Sequence, residues 1–277
     1  MFLILIPALA VGEQTIPPNR LFALVNEGRI SLAVGRFDAV KHWMPSTAFY
    51  DPPQPQDRFT IYGMKGKLGE VRITDPRRPL PEDTFANWYP KVSPWNWTEQ
   101  PQAFAIAGPL PDLSSSAETL PLDNPEAVAV ASDYLRSKGL QVPHPFLTQV
   151  FEVNLGKTLG KGLLICAHSD ESALRDDTEA AIYAVALVRL SIKGKNKTIP
   201  LASQTSFKPA HQTIEQHKAS YGTRDFYRYI ACLDLNGDGR PEIVLYRAQF
   251  DATVVDVYEW EGTRPAKVLS AYASTIL

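Results

Sequence analysis

The sequence predicts a mainly β protein (β-rich α+β) built from antiparallel sheets, with one clear helix near residues 125–138. Short apolar segments rich in β-branched and aromatic residues recur about every ten residues in the second half of the chain. Several of these segments are joined by Gly/Lys turns, which is typical of β-hairpins. Only the helical segment carries both a start signal and a stop signal for a helix.

Residues 13–122 form the first predicted region, which is rich in loops because many of the 23 prolines precede residue 125. Proline-rich segments at 43–57 and 76–101 are expected to contain no regular elements. Strands are predicted at 29–37, 59–74 (as a hairpin that turns near 65–67) and 102–108.

Residues 123–277 form the second predicted region, a β-rich domain that is sandwich-like or propeller-like. It opens with the helix, which Asp123 or Asn124 caps, Pro125 starts and Gly139 ends. Strands are predicted to follow at 148–155, 162–168, 180–192, 197–207, 225–235, 242–250, 253–262 and 266–273. The apolar segment 180–192 also fits a buried helix, but its hairpin partner favours a strand.

The first residues, MFLILIPALAVGEQ, form an apolar run that is too short to span a bilayer, which requires about 20 residues. Ala8-Leu9-Ala10 matches a small-residue cleavage pattern, although no Lys or Arg precedes Arg20. We expect residues 1–12 to be a signal-peptide remnant and the protein to be extracytoplasmic, either secreted or periplasmic. A buried first strand is the alternative. No membrane span is expected elsewhere in the sequence.

The net charge bears on the class of partner, and the two cysteines bear on disulfide and metal sites. The net charge is -2, from 28 basic and 30 acidic residues, so a nucleic-acid partner is not expected. Cys166 and Cys232 both lie in strand-like segments, and two cysteines cannot form a metal site alone. We interpret them as buried thiols, with a disulfide in an oxidising compartment as the alternative.

The most informative motif is DLNGDGRPEIVLY, at residues 234–246. Oxygen-bearing side chains occupy every second position at its start, and the interleaved glycines permit the positive φ angles of a tight curl. Calcium takes six to eight oxygen ligands, chiefly carboxylates and carbonyls. The predicted ligands of one Ca²⁺ are therefore Asp234, Asn236, Asp238, Arg240 (through its backbone carbonyl) and Glu242.

This motif differs from an EF-hand after its first six positions. Leu245 occupies the twelfth position, where an EF-hand has a bidentate Glu, and strand-like segments flank the loop. Glu242, at the ninth position, suits a strand–loop–strand site whose last ligand opens the second strand. A metal-free Asx-turn hairpin is the alternative, because Asp, Asn and Gly favour tight turns.

The loop resembles the FG-GAP or VCBS-type calcium loops of integrin-like propellers and of many exported bacterial proteins. The matching residues are Asp234, Asn236, Asp238, Gly239 and Glu242, followed by Ile243-Val244-Leu245. The later segment VVDVYEWEG resembles the strand and turn that close such a unit, so that the resemblance covers about residues 228–270. It implies an exported β protein that binds calcium.

No common catalytic motif appears in the sequence. G-x-S-x-G and H-E-x-x-H are absent, and GKTLGKG at 156–162 lacks the first glycine of a phosphate loop, so a hairpin turn is expected there. The leading hypothesis is an exported, non-enzymatic protein with one structural calcium ion.

Two other functions stay open. One is an extracytoplasmic hydrolase that uses the acidic stretch at 170–179, which contains Asp170, Glu171, Asp176, Asp177 and Glu179. The other is a carbohydrate- or protein-binding module that uses the aromatic region 88–97, which contains Trp88, Trp95 and Trp97. The partner is unknown from the sequence, and a protein or glycan ligand is the option that this aromatic region offers.

Overall fold

Antiparallel β-strands make up most of the residues that a computed structural model of the chain describes. The structure describes residues 20–37, 42–46, 58–75, 91–97, 102–107, 117–169, 179–210, 216, 226–248 and 252–274. Every strand pairing among these residues is antiparallel, and two helices accompany the strands. The predicted mainly β class is therefore confirmed. Residues 1–19, which include the predicted signal-peptide remnant, lie outside the described residues.

The first seven strands form a closed ring of six strands with one short strand attached. They are β1 (Arg20–Asn26), β2 (Arg29–Phe37), β3 (Trp43–Pro45), β4 (Arg58–Gly63), β5 (Gly66–Asp75), β6 (Lys91–Ser93) and β7 (Gln102–Ala107). Their order is β1-β7-β4-β5-β6-β2-β3, and β1 also pairs with β2. This additional pairing closes the sheet into a small barrel, and β3 pairs with the C-terminal end of β2.

Alternation along the strands gives the barrel two apolar surfaces. In β1 and β7, Ala23, Val25, Ala103 and Ala105 belong to the interior cluster. The intervening residues Phe22, Leu24, Phe104 and Ile106 belong to a second cluster, shared with the C-terminal part of the chain. The interior of a six-stranded barrel is narrow and also holds larger side chains such as Phe59. Small alanines at the neighbouring positions leave room for them.

The strands β3 and β6 correct the expectation that the two proline-rich segments contain no regular elements. Both strands have only three residues, and their prolines lie at or beyond the strand ends: Pro45 is the last residue of β3, and Pro90 and Pro94 flank β6 in the sequence. Val92 is buried in the barrel, and its backbone N–H donates to the carbonyl of Gly28 at 2.9 Å. Proline at an edge or an end of a strand removes no ladder hydrogen bond.

The second part of the chain contains two further sheets and both helices. Its elements are β8 (Glu118–Thr119), α1 (Pro125–Ser137), β9 (Leu147–Asn154), α2 (Gly156–Leu159), β10 (Lys161–His168), β11 (Ala180–Ile192), β12 (Lys195–Lys208), β13 (Phe226–Leu233), β14 (Glu242–Ala248), β15 (Ala252–Glu261) and β16 (Arg264–Ser274). A five-stranded sheet has the order β12-β11-β10-β9-β8, and a four-stranded sheet has the order β13-β14-β15-β16. The strand β8 precedes the predicted boundary at 122/123 but pairs with β9, which follows it. The division into two regions at this boundary therefore stays a prediction.

The local predictions for this part hold well. Asn124 caps α1 by accepting a hydrogen bond from the N–H of Ala127 at 3.0 Å, and Gly139 follows the helix with φ of 82°. The segment 180–192 is a strand, as its hairpin partner predicted. The segment GKTLGKG does connect two antiparallel strands, but it does so through the single helical turn of α2 and not through a plain hairpin turn.

The four-stranded sheet is buried on both faces. One face, which includes Cys232 and Trp260, shares a core with the five-stranded sheet and gives a sandwich-like arrangement. The other face, which includes Leu233 and Val244, packs on the outside of the barrel. Helix α1 covers the far side of the five-stranded sheet. Cys166 and Cys232 are both buried in the sandwich core and are not joined in a disulfide.

Neither helix within the described ranges is long and apolar enough to cross a membrane.

Candidate metal centre

The predicted calcium loop connects β13 to β14, so strands flank it as the sequence indicates. The last residue of β13, Leu233, pairs with the first residue of β14, Glu242, and residues 234–241 form the curl between them. The pairing brings the start of the motif beside its end. Asp234 and Glu242 thereby lie close enough for the charge of Asp234 to raise the pKa of Glu242.

Asp234 organises the loop through hydrogen bonds to three backbone N–H groups. Its Oδ1 accepts from Gly237 at 2.7 Å and from Asp238 at 3.0 Å, while its Oδ2 accepts from Gly239 at 2.8 Å. Gly237 and Gly239 have φ angles of 78° and 82°, which a side chain would strain. The glycines are therefore required for the chain to wrap around this carboxylate.

Asn236 and Asp238 continue the curl with the same short-range geometry. The N–H of Asp238 donates to Oδ1 of Asn236 at 2.9 Å, and the N–H of Arg240 donates to Oδ1 of Asp238 at 2.8 Å. These are Asx-turns, as in the metal-free alternative. An amide or carboxylate oxygen has two lone pairs, so one such bond does not exhaust its capacity.

Glu242 is the most unusual residue of the loop, because its carboxyl group is completely buried. Its Oε2 accepts a hydrogen bond from the N–H of Leu235 at 2.6 Å. Its Oε1 is buried and accepts no hydrogen bond from any part of the chain that the structure describes. Burial raises the pKa of Glu242 well above its usual range, and the charges of Asp234, Asp238 and Glu259 raise it further.

The pKa of Asp234 is also raised, chiefly because the carboxyl group is partly buried. Hydrogen bonds from the loop N–H groups act in the opposite direction, and the neighbouring charge of Asp238 adds to the increase. The loop thus concentrates carboxyl groups that disfavour one another's ionisation, which a cation between them would reverse.

Residues far away in the sequence complete the surroundings of the loop. Glu259 accepts a hydrogen bond from Nδ2 of Asn236 at 3.0 Å and another from Nε1 of Trp43 at 2.8 Å. The guanidinium group of Arg20, which is buried, donates to the carbonyl of Leu235 at 3.0 Å.

A second strand connection also contacts the loop, through a glycine. A Cβ atom added to Gly156 would lie 2.7 Å from the carbonyl oxygen of Gly239. Sequence reasoning missed Arg20, Trp43, Gly156 and Glu259, because no local pattern links the loop to residues that contact it from 23 to 215 positions away or that hold those residues in place. Only Glu259 falls in a segment that the sequence had associated with the motif, VVDVYEWEG.

Among the described residues, no three His, Cys, Asp or Glu side chains converge closely enough to hold a metal ion by themselves. Two of the five predicted ligands are not acids, namely the Asn236 amide and the backbone carbonyl of Arg240. A calcium site in this loop would therefore not need three converging acidic side chains. The carboxylates of Asp234 and Asp238 are turned onto loop N–H groups. The ligand set therefore stays a prediction.

The other predicted sites have little support or lie outside the described residues. Trp95 and Trp97 are partly buried, stack edge-to-face at 5.0 Å and pack close to Gly28 and Gly69 of the barrel. Such packing is typical of aromatic anchors. Trp88 lies outside the described residues, as do the acids from 170 to 178, and Glu179 is exposed.

No protein-family model, curated protein or solved structure matches this chain. The similarity to FG-GAP and VCBS-type loops therefore depends on the residues of the loop itself.

Proposed function

We propose that residues 234–242 bind one structural calcium ion in an exported, non-enzymatic β protein. The observation that carries the proposal is the buried Oε1 of Glu242, which has no hydrogen-bond partner among the described residues. A buried carboxylate oxygen without a partner is costly, because it has lost its hydration without compensation. A cation in the loop would supply the missing interaction.

The charge of the loop supports a divalent cation. The acids that interact at the loop are Asp234, Asp238, Glu242 and Glu259, and the bases with hydrogen bonds from or to the loop are Arg20 and Arg240. With every group ionised, two negative charges remain, which one Ca²⁺ would neutralise. The oxygen-only donor set suits calcium better than a transition metal.

The role of the ion would be structural. The ligands come from the end of β13, from the curl and from the start of β14, so a bound ion would hold two neighbouring strands in one alignment. A ligand that binds only the folded state stabilises it by about 2.7 kcal/mol when its concentration is 100 times Kd. The export of the protein is proposed from the apolar N-terminal run and its cleavage pattern.

The test compares thermal unfolding of the full chain in calcium and in a chelator. We expect the wild-type protein to unfold at a higher temperature in millimolar calcium. Glu242→Gln should lose most of this difference, because an amide oxygen is a weaker calcium ligand than a carboxylate. The same variant should be at least as stable as wild type in the chelator, because it removes a carboxyl group whose ionised form is disfavoured by burial.

Glu118→Gln provides the matched control, since Glu118 is an exposed acid in β8. It should keep the full response to calcium. An identical unfolding temperature of the wild-type protein in calcium and in chelator would contradict the proposal.

A further inference from the structure

We infer that the calcium site extends into the N-terminal barrel: Glu259 and Trp43 position the ligand Asn236, so that calcium binding and the contact of the barrel with the loop stabilise each other. This inference rests on the proposed calcium site. It assigns a positioning role to residues that lie outside the motif.

The first step is the orientation of the Asn236 side chain. Its Nδ2 donates to Oε1 of Glu259 at 3.0 Å, and its Oδ1 accepts from the N–H of Asp238 at 2.9 Å. A half-turn of the Asn236 amide would place its Oδ1 against the Glu259 carboxylate and its Nδ2–H against the N–H of Asp238, and both contacts would be repulsive. Glu259 therefore directs the oxygen of Asn236 towards the loop, where calcium requires an oxygen ligand. Partners of this kind fix the geometry of metal ligands in general.

The second step is the anchoring of Glu259 by the barrel. Its other oxygen, Oε2, accepts from Nε1 of Trp43 at 2.8 Å. Trp43 belongs to β3 and is held by aromatic contacts with Phe37 at 4.9 Å and with Phe22 at 6.1 Å between ring centroids. Since the indole is fixed by the barrel, the position of the Glu259 carboxylate depends on the barrel as well.

The third step is a second link, through Leu235. Its N–H donates to Oε2 of Glu242, and its carbonyl accepts from the buried guanidinium group of Arg20 in β1. The Leu235 side chain lies in the apolar cluster shared by the barrel and the four-stranded sheet. The loop backbone is therefore held between a predicted ligand and the first strand of the barrel.

Coupling of this kind is reciprocal by thermodynamic necessity. If calcium stabilises the orientation of Asn236 and Glu242, it also stabilises the hydrogen bonds from Trp43 and Arg20. Conversely, loss of the Trp43 hydrogen bond should weaken calcium binding. The apolar cluster between barrel and sheet does not depend on these bonds, so we expect a local effect at β1 and β3.

The experiment uses Trp43→Phe and Glu259→Gln in the full chain. Phe keeps an aromatic ring in β3 but removes the indole N–H, and Gln keeps the shape of Glu259 but loses one of its two acceptor oxygens. Calcium affinity is measured by isothermal titration calorimetry. We expect a loss of about 10-fold for Glu259→Gln, a magnitude typical of residues that orient metal ligands, and a smaller loss for Trp43→Phe.

Two matched variants serve as controls. Trp97→Phe removes an indole N–H from a tryptophan that packs on Gly69, and Glu261→Gln neutralises an exposed acid two positions after Glu259. Both should bind calcium like wild type. Hydrogen exchange of peptides covering 20–26 and 42–46 is measured in parallel, and calcium should slow it in the wild-type protein more than in Trp43→Phe.

The outcomes separate this inference from the proposed function. If the wild-type protein does not bind calcium, both are wrong. If it binds calcium but the affinity of Trp43→Phe and Glu259→Gln equals that of the controls, the calcium site stands and the coupling is wrong. Should Trp43→Phe fail to fold, Glu259→Gln and the wild-type exchange rates decide the question.

Discussion

Two short glycine-containing connections touch each other in this protein, and they are stabilised in different ways. The connection of residues 155–160 joins β9 to β10, and the loop of residues 234–241 joins β13 to β14. They meet where Gly156 faces the carbonyl of Gly239. Both join neighbouring antiparallel strands, so their difference reflects their side chains more than their topology.

The 155–160 connection is satisfied by neutral groups. The N–H of Leu155 donates to the carbonyl of Gly160 at 2.8 Å, and the N–H of Gly160 donates to the carbonyl of Gly156 at 2.8 Å. Leu155 and Leu159 are buried in the sandwich core. The 234–241 loop instead uses carboxylates as acceptors, which leaves excess negative charge. The residue that follows it, Glu242, has one buried oxygen without a hydrogen-bond partner among the described residues. The first connection pairs these backbone groups with each other, whereas the second has the charge and the buried oxygen on which the proposed calcium site depends.

The largest expected effect comes from Asp234→Ala, which removes the acceptor of three loop N–H groups. In a chelator we expect a loss of about 2 kcal/mol in the free energy of unfolding, as for other lost caps. In calcium the loss should be larger, because the stabilisation by the ion disappears as well. Chemical denaturation in both conditions measures the difference.

Lys157→Ala is the matched change in the 155–160 connection, where the side chain is exposed. It should change stability by less than about 0.5 kcal/mol in either condition. Equal losses for Asp234→Ala in calcium and in chelator would contradict the metal role of Asp234.

An intermediate effect is expected from Gly156→Ala, where the two connections meet. Gly156 has φ of 85°, and its new Cβ would approach the Gly239 carbonyl to 2.7 Å, so one backbone segment must move. We expect a destabilisation of about 2 kcal/mol, from backbone strain together with this contact. The displaced carbonyl lies next to Arg240 in the loop, so calcium affinity should fall too.

Gly160→Ala separates the two causes. Gly160 also has a positive φ, of 69°, but its Cβ would meet open space. This variant should lose about 2 kcal/mol through backbone strain alone, because φ of 69° with ψ of -145° is a conformation that is largely restricted to glycine, and it should keep its calcium affinity, as titration calorimetry would show. If both variants bind calcium equally, the contact between the connections does not matter for the site.

The smallest effect concerns the reactivity of the cysteines. Burial raises the pKa of both thiols far above the ordinary range, so neither should react with an alkylating reagent at pH 8 in the native protein. Cys232 lies two residues before Asp234, where the proposed calcium loop begins, and Cys166 lies in the strand that follows the 155–160 connection. Removal of calcium should therefore increase the alkylation rate of Cys232 more than that of Cys166, as mass spectrometry would show.

The sequence predicted the features that depend on neighbouring residues. Asn124 and Pro125 indicated the start of α1, Lys193-Gly194 indicated the turn between β11 and β12, and the alternation around Asp234 indicated a tight curl. In each case the physical cause, such as a cap or a positive φ, acts within a few residues.

The features that the sequence did not predict depend on distant pairings. The ring of barrel strands also needs β6, which meets β2 at the single pair Arg29 and Lys91. No local pattern marks a three-residue strand between prolines. The hydrogen bond from Trp43 to Glu259 joins residues 216 positions apart, and the buried contact of Arg20 spans 215. Only the folded topology brings these residues to the loop.

The burial of the four-stranded sheet on both faces makes the alignment of β13 with β14 unusually important. A bulge at Ile230 shifts the alternation, so that Tyr229 and Cys232 enter the sandwich core while Ala231 and Leu233 enter the barrel cluster. A slip of one residue between these strands would exchange the contents of two separate cores at once. The loop between β13 and β14 sets their register. It therefore affects the packing of the sandwich core and of the barrel cluster together, and not only the pairing of one hairpin.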